Sequence, residues 1–536
     1  MCGPSDVLPG RSRRSCCCRF GILIGIVGSV VCAAGVAAES PNLDGGARER
    51  EVIAAQGKLK KNPNDASAAG VLGRYYCFVK RDWEAGLPLL ARSDDLVLKG
   101  PAQSDLNNPR EPDRQLALAD QWWDLAQRRG DETKNSMLDR AAYWYVQALP
   151  RLQEPDRSRV LVRWEELRDA GIVIGPHELY GNMLGGRLDG RGRLVRKHGG
   201  SGGSERAVAR GLQWLAMHQC ADGGWNFDLR KCPGCLGKCP DSGEAGDARI
   251  AATAMALLPF LGAVQTHKTG KYKTQVNNGL RFLCEKMKTT PLGGSLWESG
   301  GRGHMYSHGM ATIALCECYA MTRDKQLHKP ALEAVNFVCS AQDPIGGGWR
   351  YKPREKGDTS VTGWQIMALK TGHVAHLHVP PTVLKRAFGY LDTVQTDNGA
   401  AYGYRGPGSG RATSAIGLLC RMYLGWKKDN PALRRGVQQI SDWGPDRGNM
   451  YYNYYATQVC FHWQGDVWKK WNGQMRDWLV NLQAKESHPA GSWMLTGNDY
   501  GFKRGGRLYC TALATMILET YYRYLPIYRE DPTEDQ

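Results

Sequence analysis

The sequence predicts an all-α fold: an α/α toroid of six helix pairs in two concentric rings, plus a smaller N-terminal helical domain. Three observations point there. From Val208 to Tyr528 one unit recurs six times, an amphipathic helix, a Gly-aromatic turn and a second helix rich in small residues. The turns are Asp222-Gly223-Gly224-Trp225, Gly293-Gly294-Ser295-Leu296-Trp297, Gly346-Gly347-Gly348-Trp349, Tyr402-Gly403-Tyr404, Gly448-Asn449-Met450-Tyr451 and Ala490-Gly491-Ser492-Trp493. They fall roughly 40–70 residues apart, the period of stacked supersecondary arrays. Secondly, the first helix of each unit carries a broad apolar face, as in LQWLAMH and RDWLVNLQ. The second is apolar nearly all round, as in AATAMALLPFL and TALATMILETYY. Thirdly, a single helix pair cannot bury its own stripe, and a helix apolar on every side belongs to an inner layer. Two rings satisfy both kinds of helix, whereas an open row leaves its ends wet.

In chain order, residues 1–38 read as an export signal. Arg11, Arg13, Arg14 and Arg19 precede an apolar run from Phe20 to Ala38, and Val36-Ala37-Ala38 supplies small residues before Glu39. Such a segment is either cleaved or kept as an anchor, so the expected location is periplasmic, extracellular or membrane-anchored. Residues 39–169 form a helical domain. Tyr75, Tyr76, Trp83, Trp122, Trp123, Tyr143, Trp144 and Tyr145 stand at helical spacing beside alanines. They suit either tetratricopeptide-like helix pairs or an ordinary helical core. Residues 170–205, with Gly185-Gly186 and Gly199-Gly200-Ser201-Gly202-Gly203 among arginines, have linker composition. The toroid spans 206–528, and 529–536 is a polar tail.

The formal charge is +17, yet the basic runs lack interleaved aromatics and no nucleic-acid motif is present, so no nucleic-acid partner is expected. Cys284, Cys316, Cys318, Cys339, Cys420, Cys460 and Cys510 sit in apolar helical patterns as small hydrophobes. Cys232, Cys235 and Cys239 lie in an expansion of the first turn. With Cys220 they allow two disulfides. The alternative is a zinc site completed by Cys220 or a histidine. His373, His376 and His378 precede Pro380-Pro381 and read as an exposed polar loop.

The turns resemble the QW-type repeats of squalene–hopene cyclases and protein prenyltransferase β-subunits. Residues 204–528 as a whole resemble a prenyltransferase/squalene oxidase repeat protein. The third repeat carries the likeness furthest, with Gly347-Gly348-Trp349-Arg350-Tyr351, a connector, then Asp358-Thr359-Ser360-Val361. There the cyclases have Gly-Gly-Trp, a connector and Asp-x-Asp-Asp-Thr-Ala. The resemblance implies an α/α barrel whose inner-helix N-termini ring a cavity, with the middle aspartate protonating a polyene. Gly357 stands in that aspartate's place, flanked by Glu355 and Asp358. The prenyltransferase zinc set is not reproduced: Leu508-Tyr509-Cys510-Thr511 replaces Tyr-His-Thr, and no Asp-x-Cys accompanies Tyr451-Tyr452-Asn453-Tyr454. Cys339-Ser340-Ala341-Gln342 has the spacing of a thioester motif without its turn residues. No cofactor is expected.

Polar residues cluster at the starts of the inner helices. Asp358, Glu355, His308 and Tyr454 are the catalytic candidates. Asp247, Arg249, Arg411, Asn453, Arg507 and Tyr509 are the binding candidates, with Tyr306 and Thr413 beside them. The expected function is an exported binding or scaffold toroid of terpene-cyclase/prenyltransferase type that lacks the cyclase proton donor. Two alternatives stand. One is a divergent terpene cyclase or mutase using Asp358; the other is an α/α-barrel polysaccharide lyase or hydrolase. The expected partners are a protein on the N-terminal helices and an apolar isoprenoid or a polysaccharide in the cavity.

Overall fold

The computed structural model describes residues 44–528 except 132, 174–189, 299–302, 496 and 498. The signal segment, much of the Gly/Arg-rich stretch and the polar tail lie outside the described residues. The chain divides at Ile53. The described part of the first unit belongs to the helix Asp44–Lys61, and the second unit, Ala54–Gln536, holds the rest.

The six repeats form six pairs, each an outer helix followed by an inner one. The pairs are Gly202–Met217 with Arg249–Gly262, Lys273–Lys286 with His304–Thr322, and Lys325–Ser340 with Thr359–Val374. Then come Pro381–Val394 with Arg411–Tyr423, Pro431–Trp443 with Met450–Trp463, and Gly465–Leu482 with Tyr500–Leu518. Each inner helix packs on the next, and the sixth packs back on the first, so the ring is closed. Composition explains the sorting. In the first inner helix every residue from Ile250 to Gly262 is buried. The outer helix Pro431–Trp443 buries one face, with Leu433, Val437 and Ile440 inward. Alanine, glycine and threonine let six inner helices approach closely around one axis.

The turn residues lock neighbouring pairs together. Gln219 Nε2 donates to Gly223 O at 2.7 Å and to Gln275 O, in the next outer helix, at 2.9 Å. Gln342 does the same to Gly347 O and Val383 O at 2.7 and 2.8 Å. Three of the four turn tryptophans are buried. Trp225, Trp349 and Trp493 each donate Nε1–H to a carbonyl of their own outer helix at 2.8 Å. Their backbone N–H groups donate to Thr253, Thr362 and Thr511 of the inner helices. Gly223 is required because its φ is +88° and a Cβ there would stand 2.7 Å from Asn278 O.

In the second unit, helices Ala66–Arg74, Trp83–Leu90, Leu96–Leu106, Pro112–Gln127, Thr133–Ala148 and Asp156–Asp169 precede the ring. Buried Asp105 accepts from Trp122, Trp144 and Arg140, which ties three of them together. They dock on the toroid through Glu84, which accepts from Tyr319 at 2.7 Å, and through Gln147, 3.3 Å from His376 Nε2. This corrects the reading of the histidine run as an exposed loop. Burial lowers His373 to about 4, and the His376 ring packs edge-on against Tyr143 at 4.2 Å. The described end of the Gly/Arg-rich stretch is likewise packed rather than free. Arg191–Lys197 is helical, Ser201 caps the first outer helix, and Gly199 O accepts from Asn472 at 2.9 Å. Among the described residues no helix is long and apolar enough to cross a membrane.

Candidate functional site at the mouth of the ring

The N-termini of the inner helices converge at one end of the ring. Ser360, in the first turn of the third inner helix, accepts from Tyr306 of the second at 2.7 Å. It also shares a 2.7 Å hydrogen bond with Tyr451 of the fifth. Tyr451 N–H donates to Asp499, the cap of the sixth inner helix, at 3.1 Å, and Tyr509 O–H donates to the same carboxylate at 3.2 Å. Across the ring, Glu298 accepts from Ile250 N–H at 2.9 Å and from the Ser307 hydroxyl.

Asp358, the cap of that third inner helix, has no exposed surface. One oxygen caps its own helix, accepting from Val361 N–H at 2.8 Å; the other accepts from Tyr404 O–H at 3.1 Å. Tyr351 completes the relay, 2.8 Å from the Tyr404 oxygen, and Arg350 Nε stands 3.7 Å from the carboxylate. Burial raises the Asp358 carboxyl to about 6, against the opposing pull of the Val361 N–H, Tyr404 and Arg350. Burial also raises Glu298 and Asp499. Three carboxyls at helix N-termini, where the dipole favours their charge, are thus held above their ordinary values by burial.

Residues 195–411 match the family described as Squalene-hopene cyclase C-terminal domain. The toroid is squalene-cyclase-like. A squalene–hopene cyclase from Bradyrhizobium diazoefficiens is 29% identical over 227 residues, covering 39% of this chain and 31% of that protein. A probable squalene–hopene cyclase from Sinorhizobium fredii is 28% identical over 223 residues, covering 38% and 32%. The match therefore spans about a third of the length of these curated relatives. Among solved structures, a type II terpene cyclase from Scytonema in complex with merosterolic acid A aligns with a TM-score of 0.42 at 12% identity, over 60% of this chain and 96% of that one. An alpha-1,6-mannanase from Salegentibacter sp. HEL1_6 aligns with a TM-score of 0.43 at 11% identity, over 59% and 98%.

Gly357, where the resemblance to the cyclases expects an aspartate, is closed to a side chain. A Cβ on Gly357 would stand 2.8 Å from Gly348 Cα and 2.9 Å from the Tyr390 ring, so the glycine is set by a backbone-to-backbone approach. Glu355 pairs with Arg350 at 2.9 Å and accepts from Lys352 N–H at 3.1 Å. It reaches Asp358 only through that shared arginine.

The other sequence candidates divide. Tyr509 joins the mouth through Asp499. His308 does not, which corrects its reading as a catalytic group. Its Nδ1 accepts from Leu296 N–H at 3.0 Å and its Nε2–H donates to Ala334 O at 3.0 Å, so both ring nitrogens serve the backbone. Tyr454 lies deeper, stacked on Trp364 at 5.7 Å, and lines a cavity of about 20 Å³ with Glu317, Lys370 and Arg523. That volume is enough to hold water. Asn453 is spent on the Asp446 backbone at 2.8 and 2.6 Å. Arg249 holds Asp222 at 2.8 Å and Trp225 O at 2.8 Å. Arg411 is exposed, 3.8 Å from Asp446, and Asp247 is exposed. Arg507 binds Asp241 at 2.6 Å and Pro240 O at 3.1 Å, fastening the cysteine-bearing insert. Cys220, Cys232, Cys235 and Cys239 are free thiols, and Cys235 and Cys239 face two histidines.

Sequence reasoning missed Glu298, Tyr351, Tyr404, Tyr451 and Asp499. A signal was present for two of them. Tyr351 and Tyr404 each stand two residues after the aromatic anchor of their turn, Trp349 and Tyr402.

Proposed function

We propose that the squalene-cyclase-like toroid is a binding ring that takes an apolar, isoprenoid-like ligand at its tyrosine-lined mouth and does not protonate it. The observation that carries this reading is the state of the donor position. Gly357 has no room for a side chain, and both oxygens of Asp358 act as acceptors. Protonating an alkene needs an acid that is protonated and also strong. Burial makes Asp358 a weaker acid, and its hydrogen bonds suit the anion. Tyr306, Tyr351, Tyr404 and Tyr451 offer apolar faces with hydroxyls already engaged, which suits a ligand with little polarity. On this reading the chain is exported, and exposed apolar residues of the N-terminal helices, such as Leu96 and Val97, are where a protein partner binds.

A second reading is favoured by the same carboxyl. A buried aspartate raised to about 6 among tyrosines is partly protonated near neutrality, as a divergent cyclase using Asp358 requires. The polysaccharide reading has less support, because His308, Tyr454 and Arg507 each serve separate structural contacts. One experiment separates the first two. The full chain is incubated with squalene, the extract is examined for cyclic products, and binding is followed by thermal shift with squalene-loaded micelles. Binding without product, weakened in Tyr404→Ala, is expected. Cyclic product that disappears in Asp358→Asn replaces the binding ring with the cyclase.

A further inference from the structure

The insert in the first turn carries a cluster that the mouth does not use. His218 ends the first outer helix, Cys235 and Cys239 lie in the insert, and His488 comes from the loop after the last outer helix. One ligand atom from each lies within 4.8 Å of all the others. We propose that these four residues bind one zinc ion in a Cys2His2 site that clasps the first repeat to the last.

The geometry is that of a tetrahedral site. Zinc with Zn–S of about 2.3 Å and Zn–N of about 2.0 Å holds its sulfur and nitrogen ligands about 3.5 Å apart. Cys239 Sγ stands 3.5 Å from His218 Nε2 and 3.2 Å from His488 Nδ1. The second ring nitrogens are anchored on backbone carbonyls. His218 Nδ1–H donates to Trp214 O at 2.7 Å, and His488 Nε2–H donates to Gly234 O at 3.0 Å. Those bonds fix each tautomer so that the lone pair of the other nitrogen faces the sulfurs, the arrangement that orients histidine ligands in metal sites. Trp214 stacks on the His218 ring at 3.8 Å and holds its plane.

The two sulfurs are brought together by the turn between them. Leu236 and Gly237 take φ of +48° and +79°, doubling the chain back, and Cys239 N–H donates to Cys235 Sγ at 3.3 Å. An amide aimed at sulfur suits a thiolate. Cys220 is not one of the four residues whose ligand atoms come together, so the fourth ligand is a second histidine rather than Cys220.

The position gives the site its role. His488 and Cys239 are separated by 249 residues, yet they meet where the ring closes. The same seam carries the Arg507–Asp241 ion pair and the hydrogen bond from Ala245 N–H to Arg504 O at 2.9 Å. A metal there adds ligand bonds between the two ends of the toroid.

The full chain, purified without chelator, is assayed for zinc by plasma mass spectrometry after gel filtration. One zinc per chain is expected, falling to none in Cys239→Ser and in His488→Ala and retained in Cys232→Ser. Cobalt exchanged into the site is expected to show a sulfur-to-metal charge-transfer band that Cys235→Ser weakens. His488 is half-buried on a loop, so His488→Ala carries the test even where a cysteine variant does not fold. His488→Cys, which restores a ligand, is expected to recover the zinc. Folded wild-type chain without zinc overturns the proposal. So does zinc kept in His488→Ala, or a Cys235–Cys239 disulfide found by non-reducing peptide mapping.

Discussion

Gln483 Nε2 donates to Ala207 O at 2.8 Å, joining the last outer helix to the first, and to Gly491 O of its own turn at 2.8 Å. This is the bond that Gln219 and Gln342 make to their successors, used here to return the sixth repeat to the start of the ring. Gln483→Ala leaves two buried carbonyls without that donor. The expected cost is about 2–3 kcal/mol from two net hydrogen bonds and unsatisfied acceptors. Denaturant unfolding measures it. Gln342→Ala is expected to cost less, by about 1 kcal/mol, because Gln483 Oε1 also accepts from Arg210 Nε at 2.8 Å whereas Gln342 Oε1 has no hydrogen-bond partner. No change in either variant would mean that the glutamines decorate the turns without holding the repeats.

Placing an acid at Gly357 is expected to fail. Gly357→Asp forces a side chain against Gly348 Cα and Tyr390, and two backbones cannot both move aside. Overpacking of this kind costs about 1–3 kcal/mol or more. A lowered unfolding midpoint with no cyclic product from squalene is the expected result. Wild-type stability together with new product would show that the strand of chain around Gly348 yields.

The toroid was legible because its defining residues recur. Glycine and an aromatic recur in all six turns, with glutamine and tryptophan in the first, third and sixth, and these are visible without coordinates, as is the contrast between one-sided and all-round apolar helices. The mouth was less so, because its relationships cross repeats. Tyr404 reaches Asp358 from 46 positions away, and Glu298 caps a helix 48 positions earlier. Nothing local to either residue announces its partner. His308 misleads for the opposite reason. Its polarity at an inner-helix start resembles a site residue, but the fold supplies a backbone donor on one side and an acceptor on the other.

Asp358 links burial to pH. The folded carboxyl keeps its proton up to about 6, while an unfolded aspartate releases it near 3.8. Between those values the folded state binds more protons, so stability falls as pH rises through the window and stays lower above it. An asparagine in its place would keep an oxygen for the Val361 N–H without the buried charge. Asp358→Asn is therefore expected to be more stable than wild type at pH 8, by at most about 3 kcal/mol. The gap should close as pH falls towards 4. A difference that does not change with pH would rule out the burial account.

His308 produces the opposite slope. Burial lowers its imidazole to about 4, against the raising effect of its bond to Ala334, whereas the unfolded ring titrates near 6.5. Below 6.5 the unfolded chain takes up a proton that the folded one refuses, so stability is full at neutral pH and drains as pH falls towards 4. For this one ring the loss reaches about 2 kcal/mol by pH 5. His373, also lowered to about 4, adds to the same trend where the N-terminal helices meet the toroid. Unfolding free energies at pH 7.5, 6 and 5 measure the slope. His308→Gln is expected to be less stable at pH 7.5 but to lose less on acidification, because a glutamine at this position has no proton to gain. Equal slopes in the two proteins would mean that His308 is charged in the folded ring, and the two backbone hydrogen bonds assigned to it could not both stand.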